Sequence, residues 1–155
     1  IFLIINYLSK LLETVKLNNK NIHKYADLLF SSQHEFQYFI KIGWSHKEIV
    51  QQVDKNNSYS IGLKESNNLI GFILGNLFII EKKAEYEILL IYVHKKYRKL
   101  GNGTYLINAI HKYTNSFSLK ITLEVSANNT LAIELYKKND FKQVGKRKDY
   151  YLLFN

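Results

Sequence analysis

Apolar positions recur along this chain with two periods, one of strands and one of helices. Residues 13–17 (ETVKL) alternate and predict a short strand. After a polar cluster from Asn18, the residues Ile22, Tyr25, Ala26, Leu29 and Phe30 are spaced three and four apart, the stripe of a helix. Ser45 with Glu48 three residues on has the spacing of a capping box and predicts a second helix through residue 53. Residues 59–63 and 69–80 read as strands joined by a turn at 65–68. The run at 88–93 (ILLIYV) is apolar throughout, which predicts a central strand covered on both faces. The segment HKKYRKLGNG leads from it into a helix with Leu106, Ile107, Ile110 and Tyr113 on one side. Leu119, Ile121, Leu123 and Val125 then alternate with Lys120, Thr122 and Glu124, again a strand. A short helix from about Thr130 carries Leu131 and Leu135, and Ala132 and Tyr136, four apart, and residues 141–151 predict a closing strand. The expected fold class is α/β (α+β), a mixed central sheet flanked by helices.

At 155 residues, 46% hydrophobic and 23% charged, the chain suits one globular domain, taken as residues 13–155 behind an uncertain segment 1–12. Residues 1–8 (IFLIINYL) are interrupted by Asn6 and fall far short of the roughly 20 residues of a membrane span. They have no basic flank or small-residue cleavage site, so neither a signal peptide nor a membrane partner is expected. The absence of cysteine excludes disulfide and thiolate chemistry and fits a reducing, cytoplasmic setting. The absence of methionine, an initiator included, points to an excerpt or a processed product. A net charge of +9 invites a nucleic-acid reading, but only Arg98 and Arg147 among the 22 basic residues are arginines. Readers of base edges rely on the planar arginine fork, so no nucleic-acid partner is expected, while an anionic small ligand stays attractive. The five histidines show no metal-ligand spacing, and no metal is expected.

The segment from Arg98 through Lys99, Leu100, Gly101, Asn102, Gly103 and Thr104 lies between an apolar strand and a helix. Two glycines let the backbone turn tightly and bring its N–H groups to a ligand. Amides at the start of the following helix, with the helix dipole, favour an anion. A P-loop would need Lys and Ser/Thr after the second glycine, and a dinucleotide fingerprint a third glycine where Leu106 stands. A plain strand-to-helix turn remains the alternative.

R-x-x-G-x-G after ILLIYV resembles the acetyl-CoA motif of the GNAT N-acetyltransferases, and LEVSANNTLAIELYKKNDF resembles that family's L-E-V-x-x-x-N-x-x-A-x-x-L-Y-x-x-x-G-F. AEYEILLIYVHKKYR is similar to the strand leading into the loop. Trp44-Ser45 and the RKDYY segment resemble the branch that acetylates protein N-termini, with the bacterial ribosomal-protein-alanine N-acetyltransferases nearest. The resemblance implies a GNAT fold, acetyl-CoA as co-substrate, and direct transfer of acetyl to an amine. It implies a protein α-amine as acceptor, with the N-terminal alanine of a small-subunit ribosomal protein favoured. The alternatives are a small-molecule amine or lysine acetyltransferase, and a catalytically weak acyl-CoA-binding module.

The resemblance also implies roles for single residues, each beside a plainer reading. Glu124 is implied as the base, acting through a water, or is a solvent-facing carboxylate on a half-exposed strand. Tyr136 is implied as the acid that protonates the leaving thiolate, or is a core tyrosine. Main-chain groups of Ile91, Tyr92 and Val93 are implied to hold the pantetheine arm and polarise the acetyl carbonyl, while their side chains are core. Amides of Lys99, Leu100, Gly101, Asn102, Gly103 and Thr104 are implied to hold the pyrophosphate. Asn129 either contacts the cofactor or is an ordinary N-cap. Trp44, Tyr150 and Tyr151 either line an acceptor groove or pack as aromatics. In two places the sequence departs from the family pattern. Asp140 stands where the family has glycine before Phe141, so the turn there is expected either to differ or to hold Asn or Asp in the left-handed region. The resemblance implies a further strand after Tyr-Tyr, which the residues given are not expected to supply, and the acceptor groove would then be incomplete.

Overall fold

The computed structural model describes residues 11–30 and 32–146. Its elements are β1 (Leu12–Lys16), α1 (Ile22–Phe30), α2 (Gln33–Lys41), α3 (His46–Val53), β2 (Ile61–Glu65), β3 (Asn68–Ile80), β4 (Lys83–Val93), a 3-10 turn (Lys95–Tyr97), α4 (Asn102–Tyr113), β5 (Ser118–Leu123) and α5 (Thr130–Lys138). The strands lie side by side in the order β1-β2-β3-β4-β5. β1 to β4 pair antiparallel, and β5 joins β4 in parallel after the crossover through α4. The mixed sheet with helices is the architecture expected from the pattern. Two compact units divide after Glu124: the sheet and α1–α4 belong to the first, α5 to the second.

Phe72 and Leu74 of β3 and Tyr92 of β4 face a core built with Leu17, with Ile22, Tyr25 and Leu29 of α1, Phe39 of α2, and Ile49 and Val53 of α3. Strand alternation turns Ile73, which is fully buried, to the other face. There α4 packs against β2, β3 and β4 and buries Leu106, Ile107 and Ile110. Helix α3 begins as its sequence dictates: the Ser45 hydroxyl accepts from the Glu48 amide and the Glu48 carboxylate accepts from the Ser45 amide, a complete capping box. Those hydrogen bonds hold the Glu48 carboxyl below its ordinary value.

β3 and β4 slip register between Leu74 and Gly75: Leu74 faces Leu90 while Gly75 faces Ile88, so Leu89 is an extra residue. A bulge of this kind reverses which face successive side chains take. Ile88 lies on the α4 face, whereas Leu90 and Tyr92 turn to the α1–α3 core. The ILLIYV run therefore serves two faces in succession. Residues 89–91 and 93 are only half-buried, less covered than a central strand should be.

Gly75 makes the bulge possible. A Cβ there would overlap the Cζ and hydroxyl oxygen of Tyr86 and lie 2.6 Å from the Glu87 carbonyl oxygen. That ring is buried, and its hydroxyl donates to the Tyr59 carbonyl at 2.7 Å. Burial pushes the phenol well above its ordinary range. Gly75→Ala is expected to cost about 1–3 kcal/mol of stability through overpacking, read as a fall in the urea midpoint.

Three sequence expectations need correction. A third helix, α2, stands between the two expected ones. Ser32 caps it by accepting from the Glu35 amide at 3.2 Å, so the Ser-x-x-Glu spacing at 32–35 was a readable signal. β4 starts at Lys83 rather than at residue 88, because its first half pairs with the far end of β3 and with β5. The described part of the expected closing strand, 141–146, has no strand structure, and the remainder lies outside the described residues. Asp140, in contrast, takes φ 64°, the left-handed turn expected of it.

Candidate active site

β4 and β5 pair only from Lys83↔Ser118 to Ile88↔Leu123. Beyond that point β4 continues to Val93 with β3 still beside it. Among the described residues, no strand pairs with the other edge of residues 89–93, since β5 ends at Leu123. Glu124, exposed, follows the last paired residue of β5. An open strand edge of this sort offers main-chain donors and acceptors to an extended ligand.

The turn after β4 is held from within. The Arg98 Nε donates to the Val93 carbonyl at 2.8 Å, and its guanidinium lies 5.4 Å from the Tyr38 ring centre and 5.9 Å from that of Tyr92. The Asn102 side-chain amide, buried, donates to the Tyr97 carbonyl at 2.8 Å, and Tyr97 donates to Glu65 at 3.1 Å. Lys99 (φ 59°) and Gly101 (φ 83°) both take left-handed backbone, a strained conformation for the lysine. Lys99, Leu100 and Gly101 are exposed.

Gly101 N-caps α4 without a side chain, and the first turn of α4 carries no acidic residue. A Cβ built on Gly101 would meet nothing within 4 Å. A bare helix start, open space before it and an exposed lysine suit an anionic group such as a diphosphate. Lys99, Gly101, Gly103 and Thr104 are brought together here. Asn102 differs from the rest, since its side chain is committed to the turn and only its main chain is left for a ligand.

Tyr92 is buried against Phe39 and Phe72, and its hydroxyl donates to the Glu35 carboxylate. Burial first, then the bond to Glu35, pushes the phenol far above its ordinary range. Its side chain is core, as the sequence implied. Asn129 N-caps α5, its side chain accepting from the Ala132 amide at 3.2 Å. Tyr136 on α5 is buried beside Phe141, with ring centres 5.5 Å apart. Trp44 is half-buried and lines a shallow groove with Glu48, Gln51, Gln52 and Lys55. Tyr150 and Tyr151 lie outside the described residues. Among the described residues, no cluster of three His, Cys, Asp or Glu could hold a metal ion, and no helix is long and apolar enough to cross a membrane. Sequence reasoning missed Glu35 and Tyr38, which brace the turn from α2.

A parallel strand pair whose pairing ends beside a glycine turn and a helix start suits an extended ligand that carries an anionic group. The model of the Acetyltransferase (GNAT) family matches residues 11–141, and the chain belongs to that family. An uncharacterised protein of Mycobacterium leprae is 32% identical over 97 residues, which make up 61% of this chain and 26% of that protein. The chain therefore spans about a quarter of that curated relative's length. Three solved structures share the fold. Arabidopsis thaliana NAA60 in complex with acetyl-CoA has 21% identity and a TM-score of 0.69, covering 91% of this chain and 92% of that one. The ribosomal-protein-alanine N-acetyltransferase of Brucella melitensis has 18% identity and a TM-score of 0.67, covering 88% and 99%. An aminoglycoside acetyltransferase from an uncultured soil metagenomic sample has 18% identity and a TM-score of 0.67, covering 90% and 95%.

Proposed function

We propose that this acetyltransferase moves acetyl from acetyl-CoA to a protein N-terminal α-amine, with the N-terminal alanine of a small-subunit ribosomal protein as the favoured acceptor. The observation that carries the reading is the end of the β4–β5 pairing at Ile88 and Leu123, with Glu124 next in the chain and the glycine turn after β4. The residues for acetyl-CoA are the main chain of Ile91, Tyr92 and Val93 along the open edge and the amides of residues 99–104 at the diphosphate. Asn129 enters this set less directly, because capping α5 already occupies its side chain.

In the proposed reaction the amine nitrogen bonds to the thioester carbonyl carbon and the carbon–sulfur bond breaks. Glu124 accepts the amine's proton through a water, and the Tyr136 hydroxyl donates a proton to the departing thiolate. A phenol titrates near about 10 and a thiol near about 8.5, so this last transfer runs uphill by about 2 kcal/mol and must accompany bond breaking. An α-amine titrates near about 7.7–8.0 and a lysine near about 10.4. At pH 7 roughly one α-amine in ten is neutral, against roughly one lysine in two thousand, so a carboxylate base suffices for the former. The reaction is placed in the cytoplasm.

The similarity to an aminoglycoside acetyltransferase favours a small-molecule amine as the second reading. Incubation with acetyl-CoA, peptides of differing N-terminus, polyamines and aminoglycosides, followed by mass spectrometry, separates the two. A peptide gaining about 42 Da at its α-amine, with N-terminal alanine preferred, is the expected product. Acetylation of the small amines alone would replace the protein acceptor, and tight coenzyme binding with no product would make the chain a binding module.

A further inference from the structure

Glu35 is a buried carboxylate that the proposed chemistry does not use. It sits in the first turn of α2 and is 5% exposed. One of its oxygens, Oε2, accepts from the Tyr92 hydroxyl. The other, Oε1, lies 3.7 Å from His34 Nδ1 and 3.7 Å from His94 Nε2. His34 is largely exposed, whereas His94 is the first residue after β4 and begins the turn toward the glycines. Its main-chain N–H donates to the Ile70 carbonyl at 2.8 Å, and its Nδ1 accepts from the Lys96 amide at 3.3 Å, which makes it the N-cap of the 3-10 turn.

A neutral imidazole carries one N–H and one acceptor nitrogen. Because Nδ1 accepts, the proton belongs on Nε2, the nitrogen that faces the carboxylate. With the proton on Nδ1, two N–H groups would point at each other and an imidazole lone pair would face Glu35. The opposite side of the carboxylate holds Tyr92, on whose ring the Arg98 guanidinium stands. Glu35 thus reaches the turn by two routes, through His94 and through Tyr92 to Arg98. We infer that Glu35 is a positioning residue: its carboxylate fixes the Nε2–H tautomer of His94, so that Nδ1 caps the turn presenting the coenzyme loop. This rests on the proposal that the turn holds the diphosphate of acetyl-CoA.

The test pairs long-range proton–nitrogen NMR of the His94 ring with calorimetric titration of coenzyme A. The wild type is expected to show the Nε2–H tautomer. Glu35→Gln keeps an acceptor for Tyr92 but turns an amide donor toward His94, which should move the ring to the Nδ1–H form. Coenzyme A affinity should then fall about fivefold, the effect of losing one N-cap acceptor. His94→Asn keeps a capping side chain but leaves no imidazole for the carboxylate to orient, and so serves as the comparison background. In the His94→Asn background, Glu35→Gln should cost little more. A ring that stays Nε2–H in Glu35→Gln, or the same loss of affinity in both backgrounds, overturns the inference. A wild type that gives no heat with coenzyme A overturns the underlying function instead, and the NMR result still decides the role of Glu35.

Discussion

Gly101→Val is expected to weaken coenzyme A binding at least about a hundredfold, equivalent to about 2.7 kcal/mol. Two effects combine. Gly101 holds φ 83°, where a β-branched residue costs of order 1–3 kcal/mol. The protein leaves open space around this position, so the new side chain would project into the room a diphosphate needs before the α4 amides. Gly101→Asn separates the causes, since asparagine tolerates left-handed backbone and adds only the obstruction. It should lose less affinity than the valine variant, while far-UV circular dichroism of both stays that of the wild type. Gly103→Val, within the first turn of α4, is expected to abolish binding as well. Unchanged titration heats in all three variants would remove the amide cradle from the site.

How far the site could be read in advance depends on the range of the interactions that build it. The helix starts at Ser45 and Asn129 are local matters of one side chain and an amide three residues on, and both form as the residue types imply. The alternation of β5 is likewise a pattern of neighbours. The bulge at Leu89 is different. It arises from the fit of the Tyr86 ring over Gly75, a contact between strands that no periodicity displays. A continuous apolar run looks the same whether it is covered on two faces or switches from one to the other. The brace beneath the turn was hidden for the same reason: Glu35 meets Tyr92 across 57 residues of chain, and Arg98 finds Tyr38 only once α2 is docked. Arg98 illustrates the limit well. Its Nε hydrogen bond goes back to Val93 and its guanidinium lies beside two aromatic rings, neither of which its place before the glycines displays.

Glu124→Gln is expected to lower kcat about a hundredfold to a thousandfold, within the range general-base catalysis supplies, while the dissociation constant of coenzyme A stays within about twofold of wild type. The substitution preserves size and hydrogen bonding but leaves no site that accepts a proton near neutral pH. Glu124 is exposed and follows the last residue of β5 to pair with β4, so the loss of its charge should leave the core and the strand pairing intact. That position also explains why the competing reading is serious. Lys120 on the same strand pairs with Glu85 at 3.1 Å as an ordinary surface ion pair, and a glutamate four residues on could be surface decoration too. The two readings diverge in kinetics and not in stability. A decorative carboxylate predicts unchanged kcat, a binding residue predicts equal losses in coenzyme affinity and turnover, and only a base predicts a loss confined to turnover. Activity should also recover in part with a more nucleophilic acceptor such as hydroxylamine, which is already neutral at pH 7 and asks less of a base.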